Sequence, residues 1–265
     1  MTKLRTQAPT HEATQSTPAL RVLSYNIHKG FSLDRRFVLQ RIKQAIEATS
    51  ADLVFLQEVI GENTVHSKKI QEWPMAPQLE FLADSIFPHF AYGKNAVYTE
   101  GHHGNAILGS FPILSCENID ISNNRFERRG LLHATLALNE NAHAALHVIC
   151  VHLDLFERGR SKQINRIVER IHEHVPDESP LIIAGDFNDW RENVSESLEK
   201  ELGVSEVFQD LNGSHARSFP CWFPFLPLDR IYIRGFRAKG ASCFTELPWR
   251  ELSDHGALFA ELEVL

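Results

Sequence analysis

Hydrophobic positions along this chain change period several times, and each change marks an element. Leu20 and Val22 alternate with polar neighbours, so residues 19–26 predict a strand ending on Asn26. Phe37, Val38, Ile42, Ala45 and Ile46 then recur at helical spacing, which predicts a helix over 36–48 with Asp34 near its N-cap. Residues 52–58 are an almost wholly apolar run closing on Glu58, the pattern of a buried strand. The same series returns later. Residues 144–153 predict a strand reaching His152, Ile164, Ile167, Val168 and Ile171 mark one face of a helix over 161–172, and 181–184 is a buried strand leading into Asp186. Between these units the patterning predicts a helix over 77–86 and strands over 91–98, 105–109, 113–121 and 131–138. A helix over 195–202 and strands over 228–233 and 257–262 complete the chain.

Each strand–helix–strand unit carries polar residues at the tips of two apolar strands. Asn26 and Glu58 lie 32 residues apart, His152 and Asp186 34. The repetition predicts two similar halves whose polar tips converge on one edge. No linker composition separates the halves, so residues 19–265 are expected to form one compact domain. Residues 1–18 are polar and rich in Thr, Gln, Ala and Pro, without the apolar stretch of a secretory signal, and are expected to be a disordered leader.

Composition narrows the picture. The chain has 265 residues and 43% hydrophobic content, enough for a sizeable core. A net charge of −7 argues against broad, non-specific binding of nucleic acid. Cys116, Cys150, Cys221 and Cys243 are far apart, which disfavours a zinc or dithiol motif and suits a reducing compartment. Cys150 lies in an apolar run and is expected in the core. No apolar run reaches spanning length, so no transmembrane segment is expected. These features predict a soluble cytoplasmic protein and leave its oligomeric state open.

The candidate chemistry sits at the strand tips. Asp186 and Asn188, in Gly185-Asp186-Phe187-Asn188, are two residues apart, and an extended backbone points both to one side. Glu58, at the end of an apolar strand, must meet a cation or reach solvent. Asn26, Glu58, Asp186, Asn188 and Asp254 offer oxygen and no thiolate, which suits Mg²⁺, with Mn²⁺ as the alternative, better than zinc. His255 follows Ser253-Asp254, and Asp229 at the head of another strand offers it a carboxylate partner. Such a carboxylate fixes the imidazole tautomer and favours its charged form. Arg129, in Arg128-Arg129-Gly130, can clamp a phosphate through two N–H groups. His103 and Asn105 in His102-His103-Gly104-Asn105 are candidate pocket residues, and Trp190 is placed to support the Asp186 loop. Residues 219–227 are dense in aromatics and proline, which excludes a regular helix or central strand. They form either a core-filling loop or an apolar rim beside the polar edge, with Trp222 as the candidate contact.

Asn26, Gln57-Glu58, His152, Gly185-Asp186-Phe187-Asn188, Leu228-Asp229-Arg230-Ile231-Tyr232 and Ser253-Asp254-His255 together resemble the endonuclease/exonuclease/phosphatase superfamily. The motifs occur in the family's order and span nearly the whole chain after residue 18. The resemblance implies a four-layer α/β/β/α sandwich of two packed, mainly antiparallel sheets of the DNase I-like kind. It also implies Mg²⁺-dependent hydrolysis of phosphodiesters or phosphomonoesters. Carried over, Glu58 binds the metal with Asn26 beside it, and Asp254 approaches the metal or the leaving group. Asp186 orients or deprotonates water, Asn188 holds a phosphate oxygen or the nucleophile, and Asp229 and His255 form a dyad, with the general base either Asp186 or His255. His152 and His255, both protonated, donate to the phosphate.

The chain departs from the abasic-endonuclease pattern at His28, where that pattern has Asp, and at Val151-His152-Leu153, where it has Asn-x-Tyr. The second departure resembles the sphingomyelinase and small-phosphodiesterase branches, both count against abasic-site repair, and His28 becomes a candidate substrate contact. The nearest resemblance is to uncharacterised bacterial members carrying Asn-Ile-His-Lys-Gly and Gly-Asp-Phe-Asn-Asp-Trp. Membership implies no substrate, but the acidic balance and the aromatic loop over 219–227 make a lipid head group or small-molecule phosphate ester the favoured partner. A nucleic acid is the first alternative, and a non-catalytic binding module on the same fold the second.

Overall fold

The computed structural model describes residues 19–124, 127–138 and 145–265. The expected leader 1–18 and the first residue of the strand expected over 144–153 lie outside the described residues. The strands in chain order are β1 Leu20–Asn26, β2 Leu53–Asn63, β3 His89–Tyr98, β4 Gly101–Gly109, β5 Ile113–Asp120 and β6 Gly130–Leu136. They continue with β7 Leu146–His152, β8 Leu181–Asp186, β9 Ser205–Glu206, β10 Asp229–Arg234, β11 Phe236–Phe244 and β12 Ala257–Val264. The helices are α1 Leu39–Thr49, α2 His66–Lys69, α3 Gln78–Ala83, α4 Glu157–His174, α5 Val194–Leu202 and α6 Val207–Asn212.

Two six-stranded sheets result, ordered β11-β12-β1-β2-β4-β3 and β5-β6-β7-β8-β10-β9. Each contains one parallel pair, β1–β2 or β7–β8, and is otherwise antiparallel. In each, a helix joins the parallel pair, α1 in one sheet and α4 in the other. The paired halves expected from sequence are therefore present, and so is the four-layer sandwich.

Period-2 alternation builds the layers. Val22, Phe55, Ile107, Leu132, Val148, Cys150, Ile182, Ala184, Ile231 and Leu258 meet between the sheets. The alternate residues Leu23, Tyr25, Val54 and Leu56 face Ile42 and Ile46 of α1 and Leu79 and Leu82 of α3. Ile149, Val151 and Ile183 face Ile164, Ile167 and Ile171 of α4.

Several boundaries differ from the sequence reading. The first helix begins at Leu39, and Val38 holds the N-cap position. An antiparallel bridge between Phe31 and Phe37 closes a turn over that stretch, and Asp34 binds Ser32 Oγ and Arg36 instead of capping. The helix expected over 77–86 shortens to α3. Strand β11 was not visible in the sequence because it is a half-exposed edge strand whose inward residues Phe236 and Ala238 are put out of phase with Ala241 and Cys243 by a bulge at Ala238–Gly240.

His133 and His147 point to the α4 side, with Nε2 and Nδ1 at 3.0 Å. Burial first, then the His147, Arg170 and His174 charges, push the His133 imidazole down to about 4. Between an unfolded-state value of about 6.5 and that value, only the unfolded chain takes up the proton. Stability is therefore kept above pH 6.5 and falls as pH drops through 4. Replacing His133 by Val should flatten this decline when Tm is followed against pH, and parallel curves for the two proteins would place the acid loss elsewhere.

Candidate active site

The rows of side chains that fill the inter-sheet core deliver the polar residues at their next step. Val22 and Ser24 lead to Asn26, Val148 and Cys150 to His152, and Ile182 and Ala184 to Asp186, while Asp229 precedes Ile231 and Ile233. Because β7 and β8 run parallel in register, His152 lies beside Asp186, and antiparallel β10 sets Asp229 on its other side. Glu58 breaks the row. Strict alternation would turn it toward α1, but the β2–β4 register shifts between Leu56 and Val59, and Glu58 takes φ 58°. The bulge re-aims the carboxylate to the common edge.

Gly185 makes this packing feasible. Its φ is +149°, and a Cβ there would lie 2.0 Å from Val151 O on the neighbouring strand. Ser253 ties the last segment in by donating to Asn26 O at 2.7 Å.

The result is a cavity of about 570 Å³ lined by Asn26, Glu58, Arg129, His152, Asp186, Asn188, Asp254 and His255, with Glu127, Leu155, Trp190, Phe219, Leu226 and Leu228. Asp186 Oδ2 is its hub. It accepts from Asn26 Nδ2 at 3.1 Å and lies 3.4 Å from His152 Nε2 and 3.7 Å from His255 Nε2. Asp186 Oδ1 accepts from the Asn188 N–H at 2.9 Å, and Asn188 Nδ2 donates to Leu153 O at 3.0 Å. Asp229 Oδ2 pairs with His255 Nδ1 at 2.9 Å and accepts from Ser218 Oγ. Asp229 does not pair with the side chain of Arg230, whose guanidinium donates to the carbonyls of Pro227, Asp229 and Asp189.

Electrostatics separates the titratable groups. Burial raises Asp186 to about 7, with His255 pulling it down and Asp229 pushing it up. Burial lowers His255, but the Asp229 and Asp186 carboxylates outweigh it and raise the imidazole to about 10. His152 is the correction. Burial and the charges of Arg129 and His255 hold it well below its ordinary value, so it is a neutral imidazole with one N–H, not the charged donor expected.

Other expected contacts fall outside the cavity wall. Asn105 is buried, and its Nδ2 donates to Gly130 O and Cys150 O, bridging the two sheets. Trp222 is exposed beyond the wall, where Phe219 and Leu226 of the same loop take the inner position. His28 Nδ1 lies 3.8 Å from Asp254 Oδ1, at the edge. His103 is pushed down to about 4 by burial and Lys29, against the pull of Glu58. The 219–227 loop divides between the two roles left open for it: Cys221 is buried, while Trp222, Phe223 and Phe225 are 58%, 64% and 52% exposed. Asp189 of the same motif as Asp186 is structural, accepting from Val194 N at the start of α5 and lying 3.7 Å from the buried Arg160.

Sequence reasoning missed Lys29, whose Nζ is 3.3 Å from Glu58 Oε2, and the Glu127 carboxylate, 2.8 Å from Arg129. Proximity to His28 and Arg129 in the chain was the available signal for both. A second polar chain, Glu206–His215–Ser195–Tyr232, has the order of a hydrolytic triad. All four side chains are buried and none lines the cavity, so this chain is structural.

The oxygen donors of the edge fit a hard divalent cation. Glu58 Oε2 is buried without a hydrogen bond, and Asn26 and Asp254 line the same cavity. Burial opposes the Glu58 charge, yet Lys29, His103 and His28 together hold its carboxyl below the ordinary range. By distance alone Asp186, Asp229 and His255 form the tightest potential ligand cluster among the described residues. The hydrogen bond between Asp229 and His255 engages two of those ligands, which favours a dyad there and the metal at Glu58.

A family profile described as "Endonuclease/Exonuclease/phosphatase family" matches residues 23–255. The uncharacterized protein YbhP of Escherichia coli (strain K12) is 44% identical over 93% of this chain and 97% of its own length. The human Nocturnin catalytic domain with bound sulfate anion superposes with a TM-score of 0.72 at 18% identity, over 94% of this chain and 95% of that one. D. rerio TDP2 complexed with single strand DNA product gives a TM-score of 0.67 at 19% identity, over 93% and 99%.

Proposed function

The chain belongs to the Endonuclease/Exonuclease/phosphatase family, and on that footing we propose that it is a metal-dependent phosphoesterase acting on a lipid-like or small-molecule phosphate ester. The observation that carries this reading is the convergence of Glu58, His152, Asp186 and the Asp229–His255 pair on one cavity. A divalent cation held by Glu58, with Asn26 and Asp254, would polarise a phosphate oxygen and offset charge gathering at phosphorus.

The chain's own groups divide the remaining work. His255 sits between two carboxylates that raise it to about 10 and favour its charged form, which supports Asp186 over His255 as the base. Asp186 loses its proton near neutrality and can accept one from the attacking water. The Asn188 amide, with an N–H engaged at Leu153 O, has its oxygen for that water. Imidazolium His255 and the single N–H of neutral His152 offer fixed donors to the phosphoryl oxygens. Arg129, braced by Glu127 at 2.8 Å and Asp154 at 3.8 Å, adds a positioned guanidinium.

Substrate class follows from the rim. Trp222, Phe223 and Phe225 form a contiguous aromatic patch, with ring centroids 6.0 and 6.2 Å apart. Leu155, which lines the cavity, and its neighbour Phe156 are also exposed. Such a patch favours acyl chains over solvent. An Mg²⁺-supplemented panel should compare phospholipid and sphingomyelin vesicles, inositol phosphates, a soluble chromogenic diester, RNA, and intact and abasic DNA. Vesicle lipid should be the best substrate. The double variant Phe223→Ser/Phe225→Ser should turn over vesicle lipid about tenfold more slowly, equivalent to roughly 1.4 kcal/mol of lost apolar contact. It should leave the soluble diester unaffected. Cleavage of DNA that drops steeply with salt would favour a nuclease instead. That second reading draws on the TDP2 likeness and its DNA product. The dyad argues against a pure binding module, which needs no acid–base pair.

A further inference from the structure

Three consecutive non-glycine or glycine residues beside the metal edge, His28, Lys29 and Gly30, have φ values of 44°, 59° and 82°. Facing them, Glu58 has φ 58°. Left-handed backbone is rare for Lys and Glu, and it persists where the surroundings over-determine it. Here the surroundings are Gln78 of α3. Its buried side chain donates from Nε2 to Lys29 O at 2.8 Å and accepts from Ile60 N at Oε1 at 2.9 Å. One amide thus fixes the Lys29 turn and the Glu58 bulge relative to each other. The product is a short distance, 3.3 Å, between Lys29 Nζ and Glu58 Oε2.

We propose that Lys29 is the resident counter-ion of Glu58, which a divalent cation must displace, and that the displaced ammonium then serves as a ligand for the substrate phosphate. This rests on the metal-dependent reading above. The buried Oε2 of this partly buried carboxylate calls for a cation, and Lys29 supplies one. An ammonium and a divalent ion on the same carboxylate repel each other. The Lys29 side chain is 41% exposed, so it has room to leave, and a phosphate in the cavity offers it negative charge. Cation and phosphate binding are then coupled through one side chain: phosphate draws Lys29 off Glu58, and the vacated carboxylate holds the metal more tightly.

The test is Mn²⁺ binding, followed by paramagnetic resonance or calorimetry, with and without inorganic phosphate. Wild type, Lys29→Met, Lys29→Arg and Glu58→Gln are compared, each checked for an unchanged Tm. Without phosphate, Lys29→Met should bind Mn²⁺ at least about fivefold more tightly than wild type, the lower end of ordinary coupling. It should also lose most of the tightening that phosphate gives wild type, while Lys29→Arg retains it. Should Lys29→Met fold poorly, Lys29→Gln provides the same comparison. Equal or weaker Mn²⁺ affinity in the neutral variants, with an undiminished phosphate effect, overturns the role of Lys29 and leaves the metal reading standing. If wild type binds no more Mn²⁺ than Glu58→Gln, the metal reading falls and the role of Lys29 with it.

Discussion

Asp186→Asn lowers kcat on a soluble phosphodiester by about 10³-fold, the middle of the range for a lost general base. The folded structure should suffer little. Asn at this position has a single acceptor oxygen: it can keep the bond from the Asn188 N–H, while its own NH₂ then faces Asn26 Nδ2 and that bond is lost. Removing a carboxylate that burial already disfavours offsets that lost bond, so Tm should change little. The pH profile distinguishes a base from a mere contact. Wild-type activity should rise with pH as Asp186 loses its proton, at about 7 or below once a cation occupies the edge. The variant should lack that limb. A variant with near-parental kcat would give the role of base to His255, against the two carboxylates that favour its charged form.

The second large effect concerns the cation. Chelation should abolish turnover, and Glu58→Gln should cost about 10³-fold, the rate equivalent of several kcal/mol of charge stabilisation. A readout independent of turnover comes from linkage. A metal at 100 times its Kd stabilises the folded state by about 2.7 kcal/mol, so Mg²⁺ or Mn²⁺ should raise the Tm of wild type. Glu58→Gln should show little of that rise at the same concentration. Turnover that persists in excess chelator, or an equal metal-induced rise in both proteins, would remove Glu58 from the role given to it.

Much of this site was legible in the chain because its residues extend core rows. Asn26, His152 and Asp186 each sit two residues beyond a core position of their strand, so alternation alone placed them at tips. The two parallel units were readable for the same reason, since each is apolar strand, amphipathic helix, apolar strand. Glu58 was legible by type and not by direction: its orientation comes from a bulge defined by pairing with β4, a partner more than forty residues away in the chain. Asn105 and Trp222 show the opposite failure. A polar residue in a suggestive motif can be engaged by two buried carbonyls, and an aromatic loop can put its smaller members on the cavity wall and its tryptophan in solvent. The protonation of His152 was illegible because it depends first on burial and then on the charges of Arg129 and His255, which come from other parts of the chain. No helix among the described residues is long and apolar enough to cross a membrane.

The shared rows tie folding and reactivity into one specification. A slip of a single residue in β8 would drive Asp186 out toward the helix layer and, in the same movement, push Ile182 and Ala184 out of the inter-sheet core. There is consequently no well-packed but misregistered form for this chain to occupy. A batch weakened by core substitutions should contain fewer competent molecules, each working at full speed, rather than a uniform population of slow ones.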